Sequence, residues 1–227
     1  MYDLYYFPLS PHSREIRLLL GELRIQFELR TEQILEQREG FLRINPAGTV
    51  PVLIDQGYPI CGARAIAEFL IEQSDLEDAS DRPHLLGRIA HQRAETRRLC
   101  DWFELKFNDE VIRLLVGEKI MKHLGRGGAP DSDKIRAGHR NLSIHMQYIE
   151  WLMARRSWLA GEAMTLADLA AAAHLSCVDY AGCINWDRFP EAQNWYARLK
   201  SRPSFRPLLQ ERIAGTSPPG HYSDLDF

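Results

Sequence analysis

The stretch SPHS, residues 10–13, carries the first side chains of the chain that could take part in chemistry. Its two serines have the spacing of a redox C-x-x-C motif with both sulfurs replaced by oxygen, so thiol–disulfide exchange is excluded here. A serine hydroxyl can still donate a hydrogen bond to a reacting anion. Ser10 is equally suited to cap a helix, because Pro11 would take the first helical position and Ser13 the third. The stretch alone leaves both roles of Ser10 open.

A second group of candidate residues carries positive charge. Residues 119–140, which we call the basic tip, contain six Lys and Arg against two Asp, in a chain whose net charge is −3. Lys119, Lys122 and Arg126 are its first three cations. One interpretation is a solvated pair of helix ends, with cations near a helix C-terminus as usual. The other is an electrostatic dock for an acidic protein partner.

The last four residues alternate acidic and apolar side chains, as Asp224, Leu225, Asp226 and Phe227. Aromatic and aliphatic residues favour burial, so a purely disordered end would seldom finish this way. The segment either folds back onto its own domain or is offered as a short linear motif to another protein. The sequence does not decide between the two.

Composition argues against several classes of function. The 28 basic and 31 acidic residues nearly balance, which disfavours general affinity for nucleic acid or anionic membranes. We expect no membrane insertion, because no apolar run approaches the ~20 residues of a span. The four scattered cysteines are typical of reduced thiols in a cytoplasmic protein. The eight histidines lack metal-ligand spacing, so we expect no metal, and His174 is predicted to be a buried core residue.

The elements that must position these residues fall into two parts. Residues 1–74 alternate strand and helix patterns in the order β-α-β-α-β-β-α, which predicts an α/β thioredoxin-like domain. Residues 75–84 are polar and predict a linker. Residues 85–212 predict an all-α domain, whose first amphipathic run covers roughly residues 84–124. Residues 213–227 are predicted to form an extended C-terminal tail.

Two stretches give this order a family resemblance. NPAGTVPVLIDQGYPICGARAI, residues 45–66, places Pro51 at the start of a strand, where a residue without an N–H needs an edge or a turn. MTLADL, residues 164–169, predicts a capping box made by Thr165 and Asp168. At these residues the chain resembles the cytosolic glutathione transferase superfamily over nearly its whole length. The resemblance implies a cis-proline loop at Pro51, an all-helical second domain and a homodimer.

The resemblance also assigns roles around glutathione. In that superfamily a Ser, Tyr or Cys at the start of the first helix donates a hydrogen bond to the glutathione sulfur, and Ser10 stands there. The other positions assigned to the site are Val50, Pro51, Ala63 and Arg64. The family pattern before R-A-I is an acidic or amide residue followed by serine, whereas this chain has Gly62–Ala63. Losing two charge-assisted hydrogen bonds would weaken glutathione binding by about 10²–10⁴-fold. We therefore interpret the site as vestigial and expect no cofactor.

Further stretches are similar to one branch of the superfamily, the FtsZ-localised protein A group of bacterial division proteins. They are the Gly62–Ala63 pair, GRGGAPDS, LADLAAAAHLSCVDY, WYARLKSRPSFRPLL and the ending HYSDLDF. This resemblance implies a cytoplasmic dimer, concentrated at the division site, that binds FtsZ filaments and does not use glutathione. The contact residues predicted from charge and exposure are Lys119, Lys122, Arg126, Asp224, Asp226 and Phe227. The alternative is a glutathione transferase in which Ser10 activates the glutathione thiol for conjugation to an electrophile.

Overall fold

The computed structural model describes residues 1–76 and 84–225. The chain forms two compact units, with the boundary between residues 83 and 84. Most of the predicted linker 75–84 lies outside the described residues. Residues 75 and 76 are still helical, because the helix that begins at Ala63 runs to Leu76 and still buries Ser74 in its last turn.

The first unit has the predicted order of strands and helices, and the thioredoxin-like fold is confirmed. Its elements are β1 (Tyr2–Tyr6), α1 (Pro11–Glu22), β2 (Phe27–Thr31), α2 (Glu39–Ile44), β3 (Val52–Asp55), β4 (Tyr58–Cys61) and α3 (Ala63–Leu76). The strand order is β2-β1-β3-β4. β1 pairs in parallel with β2 and antiparallel with β3, and β3 pairs antiparallel with β4.

The register of this sheet brings three loops to one end of it. Val52, the first residue of β3, pairs with Tyr5 near the end of β1 and with Cys61 at the end of β4. The loops after β1, before β3 and after β4 therefore lie side by side. A fully buried core that includes Leu4 and Ile66 supports the sheet from α3.

The second unit is helical, as predicted. Its α-helices are α4 (Ala90–Asp101), α5 (Arg113–Val116), α6 (Lys122–Leu124), α7 (Ser132–Met153), α8 (Leu166–Tyr180), α9 (Pro190–Lys200) and α10 (Arg206–Gln210). π-Helical segments at Trp102–Ile112 and Gly117–Met121 join α4, α5 and α6 into one continuous run, and 3₁₀ turns occur at Trp186–Arg188 and Gly220–Ser223.

α8 is the central helix of this unit, with every residue from Leu166 to Tyr180 buried. Its start is fixed by Asp168, which is fully buried. The backbone N–H and the hydroxyl of Thr165 donate to Asp168 Oδ2 at 2.8 and 3.2 Å, while Leu159 N and Trp195 Nε1 donate to Oδ1 at 2.9 and 3.0 Å. Burial raises the pKa of Asp168, and these hydrogen bonds oppose the rise. One carboxylate thus ties the helix start to a preceding loop and to α9.

Candidate functional site

Ser10 is the N-cap of α1. Its backbone is extended, with φ −77° and ψ 112°, and its Oγ accepts a hydrogen bond from Ser13 N at 3.2 Å. Pro11 occupies the first helical position, as the sequence predicts. A hydroxyl that accepts in this way keeps its own proton, so capping and donation to a thiolate are chemically compatible.

The Val50–Pro51 peptide bond is cis, and Pro51 is buried immediately before β3. The Pro51 carbonyl accepts a hydrogen bond from Gly62 N at 3.1 Å, which fastens this loop to the start of α3. Ala63 and the half-buried Arg64 open that helix. The residues predicted for the glutathione site therefore lie in the adjacent loops before α1 and β3 or in the first two residues of α3, directly after the third loop.

The Gly62–Ala63 pair offers no side-chain polar group for a ligand. Gly62 has a φ of +91°, a left-handed conformation that L side chains rarely adopt. A Cβ built there would meet no atom within 4 Å, so space is available but the backbone is unfavourable. Ala63 is 6% exposed and carries only a methyl group. At residues 62 and 63, a ligand can therefore form hydrogen bonds only with backbone N–H and C=O groups.

The basic tip is less positive than its own residues indicate. Glu118, one residue before it, is buried and accepts from Lys122 Nζ at 2.9 Å, Lys134 Nζ at 3.1 Å and Asp131 N at 2.9 Å. The Asp131 N–H and then Lys122 lower the pKa of Glu118 to about 2. Two of the tip's cations are thus partly neutralised by one carboxylate. The i,i+4 spacing of Glu118 and Lys122 is the sequence signal that indicates this pairing.

Lys119 and Arg126 differ sharply in their surroundings. Lys119 Nζ donates to the carbonyl of Ala181 at 3.0 Å and to Cys183 Sγ at 3.1 Å. Arg126 is exposed, with a φ of +53° in the turn after α6. Of the first three predicted contact cations, Arg126 is the one whose exposed side chain makes no hydrogen bond or ion pair within the described part of the chain.

The C-terminal segment through residue 225 packs on the helices of its own unit. The fully buried Tyr222 donates through its hydroxyl to the Leu208 carbonyl at 3.1 Å, and its ring meets that of Tyr180 edge-on at 5.2 Å. His221 Nε2 lies 3.0 Å from Asp179 Oδ1. Asp224 is exposed, and Asp226 and Phe227 lie outside the described residues.

The histidines and cysteines form no evident metal centre. Over residues 1–76 and 84–225, no group of three or more His, Cys, Asp or Glu side chains could hold a metal ion. His174 is fully buried with Nδ1 2.8 Å from the Ala170 carbonyl, which confirms the predicted core position. The four cysteines all lie in the described part of the chain and form no disulfide there, and Cys61 is exposed whereas the other three are buried. No helix in the described part is long and apolar enough to cross a membrane.

Comparison with known proteins gives matches across the chain. Residues 4–78 match the family model "Glutathione S-transferase, N-terminal domain", and residues 132–203 match "Glutathione S-transferase, C-terminal domain". FtsZ-localized protein A of Caulobacter vibrioides is 46% identical over 228 aligned positions, which cover 99% of this chain and 97% of the relative.

Two solved structures are similar over the whole length. FzlA from C. crescentus gives a TM-score of 0.94 at 46% identity and covers 100% of this chain and 99% of its own. A glutathione S-transferase from Rhodospirillum rubrum gives a TM-score of 0.94 at 49% identity, with both chains covered completely.

Proposed function

The chain belongs to the glutathione S-transferase family, and within that family we propose that it is a non-catalytic adaptor that binds FtsZ filaments and regulates bacterial cell division. The observation that carries this proposal is the 46% identity to FtsZ-localized protein A over 99% of the chain. Such identity over both units is far more than a shared fold requires. The protein would act in the cytoplasm at the division site.

The Gly62–Ala63 pair supports the non-catalytic part of the proposal. A γ-glutamyl group carries both a positive amine and a negative carboxylate, and each needs a buried partner of opposite charge or a strong hydrogen bond. Hydrogen and methyl side chains supply neither. The remaining site residues, Val50, Pro51 and Arg64, form a vestigial pocket in this proposal.

Charge supports the adaptor part of the proposal. The exposed Arg126 and its neighbours in the basic tip would attract an acidic filament and raise the association rate. Lys122 would contribute less, because Glu118 already holds it. A homodimer would present the tip twice along a filament and gain avidity without any new contact. Asp224, Asp226 and Phe227 remain a second proposed contact region.

Co-sedimentation with polymerised FtsZ tests the adaptor role. We expect Arg126→Glu to weaken binding several-fold, by about 1 kcal/mol, and we expect added salt to weaken the unaltered protein as well. Arg43→Glu, the same charge reversal on the exposed side of α2, is the matched control and should bind normally. Lys119→Glu is a poor test, since it also breaks the contacts of Lys119 with Ala181 and Cys183.

Two outcomes would count against this account in different ways. Unaltered protein that stays in the supernatant with polymerised FtsZ would overturn the adaptor role. Binding that survives Arg126→Glu would leave the adaptor role in place and show that the dock lies elsewhere, with the C-terminal region next to be changed.

The second candidate is a glutathione transferase that uses Ser10. The observation that favours it is the placement of the Ser10 hydroxyl at the start of α1, with the cis Val50–Pro51 bond in an adjacent loop. Here Ser10 would stabilise the glutathione thiolate for attack on an electrophile. Retention on immobilised glutathione, together with chlorodinitrobenzene turnover that Ser10→Ala abolishes, would establish this enzyme and refute the non-catalytic assignment.

A further inference from the structure

Lys119 and Cys183 meet although 64 residues separate them in the sequence. Their side-chain atoms, Lys119 Nζ and Cys183 Sγ, lie 3.1 Å apart, and both also contact the Ala181 carbonyl, at 3.0 and 3.5 Å. Three polar groups thus share one small space at the C-terminal end of α8. An amine and a thiol in hydrogen-bond contact are a reactive pair as well as a structural one.

The backbone around Cys183 is firmly fixed. Gly182 adopts the left-handed conformation, with φ +64°, directly after the last residues of α8. Gly182 N donates to the Asp179 carbonyl at 2.9 Å and Cys183 N donates to the Val178 carbonyl at 3.1 Å. These two bonds make a Schellman motif, in which Cys183 is the second residue beyond the helix cap.

Lys119, the other member of the pair, belongs to a different segment of the chain that is also well anchored. Lys119 lies in the π-helical segment Gly117–Met121, next to Glu118, whose carboxylate is anchored by Lys122, Lys134 and Asp131 N. Two of the three ammonium donors of Lys119 are used, one on the Ala181 carbonyl and one on Cys183 Sγ. Neither side chain has to move for nitrogen and sulfur to stay in contact.

The pair lies at the border between the surface and the buried interior. Lys119 is exposed, whereas Cys183 is 9% exposed and its sulfur is screened from larger reagents. Burial raises the pKa of the Cys183 thiol, and Lys119 opposes that rise. Cys183 is thus a buried cysteine whose sulfur contacts an exposed amine.

We propose that Lys119 and Cys183 form a reversible covalent N–O–S bridge under oxidising conditions, so that this contact is a redox-sensitive modification site. Dioxygen is the oxidant. The S–H bond of Cys183 and one N–H bond of Lys119 break, S–O and O–N bonds form, and the second oxygen atom leaves as water with the two hydrogens. Sulfur and nitrogen each lose two electrons, and dioxygen gains four.

The bridge would change the surface as well as the interior. The bridged nitrogen is no longer an ammonium group, so the basic tip loses one positive charge. It also joins the π-helical segment Gly117–Met121 covalently to the loop that follows α8. Reducing thiols would return water, the free thiol and the amine. This inference stands on the Lys119–Cys183 contact and does not depend on the proposed binding of FtsZ.

Peptide mass spectrometry of the full-length protein tests the bridge. The protein is held in air-saturated buffer without reductant, at a pH near the ordinary thiol value of about 8.5. We expect a crosslinked peptide that joins residues 119 and 183, heavier than its two parts by about 14 Da for one oxygen gained and two hydrogens lost. Trypsin should fail to cleave after Lys119, and dithiothreitol should restore cleavage.

Matched variants separate the bridge from other chemistry. Cys183→Ser and Lys119→Arg should lose the crosslink, and Lys119→Arg keeps a cation on the Ala181 carbonyl, so the fold is preserved. Cys61→Ser, which removes the exposed thiol, should retain the crosslink. Cys183 that stays unmodified, or gains oxygen while Lys119 remains cleavable, overturns the proposal. A crosslink without added oxygen, which indicates a direct S–N bond, overturns it too.

Discussion

Ser10 shows how one residue can satisfy a structural requirement and resemble a catalyst. Its cap is readable from the sequence because the Ser-Pro order at a helix start is a local pattern. The contact between Lys119 and Cys183 is not readable in this way, because it depends on how the π-helical segment Gly117–Met121 packs against the loop after α8. The capping role of Ser10 was therefore predictable from the sequence, whereas the contacts that hold the Lys119 ammonium group against its own domain were not.

The cap role of Ser10 predicts a specific pattern of stability. Ser10→Ala should lower the free energy of unfolding by about 1 kcal/mol, because the N–H of Ser13 loses its acceptor. Ser10→Asp should retain most of the stability, since an aspartate caps as well as a serine and its charge suits the helix dipole. Urea denaturation followed by circular dichroism measures both. Equal stability of the Ala variant and the unaltered protein would show that the cap contributes nothing.

Among the elements, the helical run over residues 90–124 shows what hydrophobic periodicity can predict and what it cannot. The pattern predicted a helix here, but it did not indicate the π-helical segment Trp102–Ile112. Phe103, Phe107 and Val111, all fully buried, are four residues apart, a spacing that suits an α-helix and a wider helix alike. The start of α8 was better determined, because the Thr165–Asp168 pair is a local motif with a defined position.

Among the residues that fix the start of a helix, Asp168 is the one whose replacement should lower the free energy of unfolding most. Asp168→Ala leaves the N–H groups of Leu159, Thr165 and the Trp195 indole buried without their acceptor. We expect the free energy of unfolding to fall by about 3–5 kcal/mol. Asp187→Ala, at an exposed aspartate of the 3₁₀ turn, is the matched control and should change it by less than about 0.5 kcal/mol. A loss below about 1 kcal/mol for Asp168→Ala in urea denaturation would contradict this assignment.

For the whole molecule, the sequence predicted the division into an α/β unit and a helical unit because strand and helix periods change between them. The path of the C-terminal segment was left open. Tyr222 is buried by Tyr180 and Leu208, which are remote in sequence, and no local pattern reports such partners. Periodicity and motif spacing were thus enough to predict the fold class. The packing of the C-terminal segment could not be predicted, because it depends on contacts between residues far apart in the sequence.

The docked C-terminal segment predicts a pH dependence of stability. The hydrogen bond to Asp179 raises the pKa of His221, so its stabilising effect is complete below the unfolded value of about 6.5 and is lost as pH rises through the folded value. His221→Ala should therefore cost more at pH 6 than at pH 7.5. The change with pH should be less than about 1 kcal/mol, since His221 is partly exposed and the pair is screened by solvent.

Two neighbouring groups define the useful pH range for this measurement. Asp179 is the partner of His221, and Lys200 donates to the His221 carbonyl at 3.1 Å. Burial lowers the pKa of Lys200 to about 8, although Asp179 and Asp224 oppose it. Lys200 therefore makes stability rise with pH above that value, which is the opposite sign, and chemical denaturation should be compared below it. A stability loss for His221→Ala that is equal at both pH values would contradict the role of His221.

The backbone conformation of Gly62 makes an acidic side chain costly to introduce at this position. Any L-residue placed there begins with a conformational strain of about 1–2 kcal/mol, although no neighbouring atom blocks it. A single Gly62→Asp substitution would therefore lower the free energy of unfolding by about that amount, while Ala63 would still supply no polar side chain. Tripeptide recognition at this loop thus takes at least two substitutions, and the first of them costs stability.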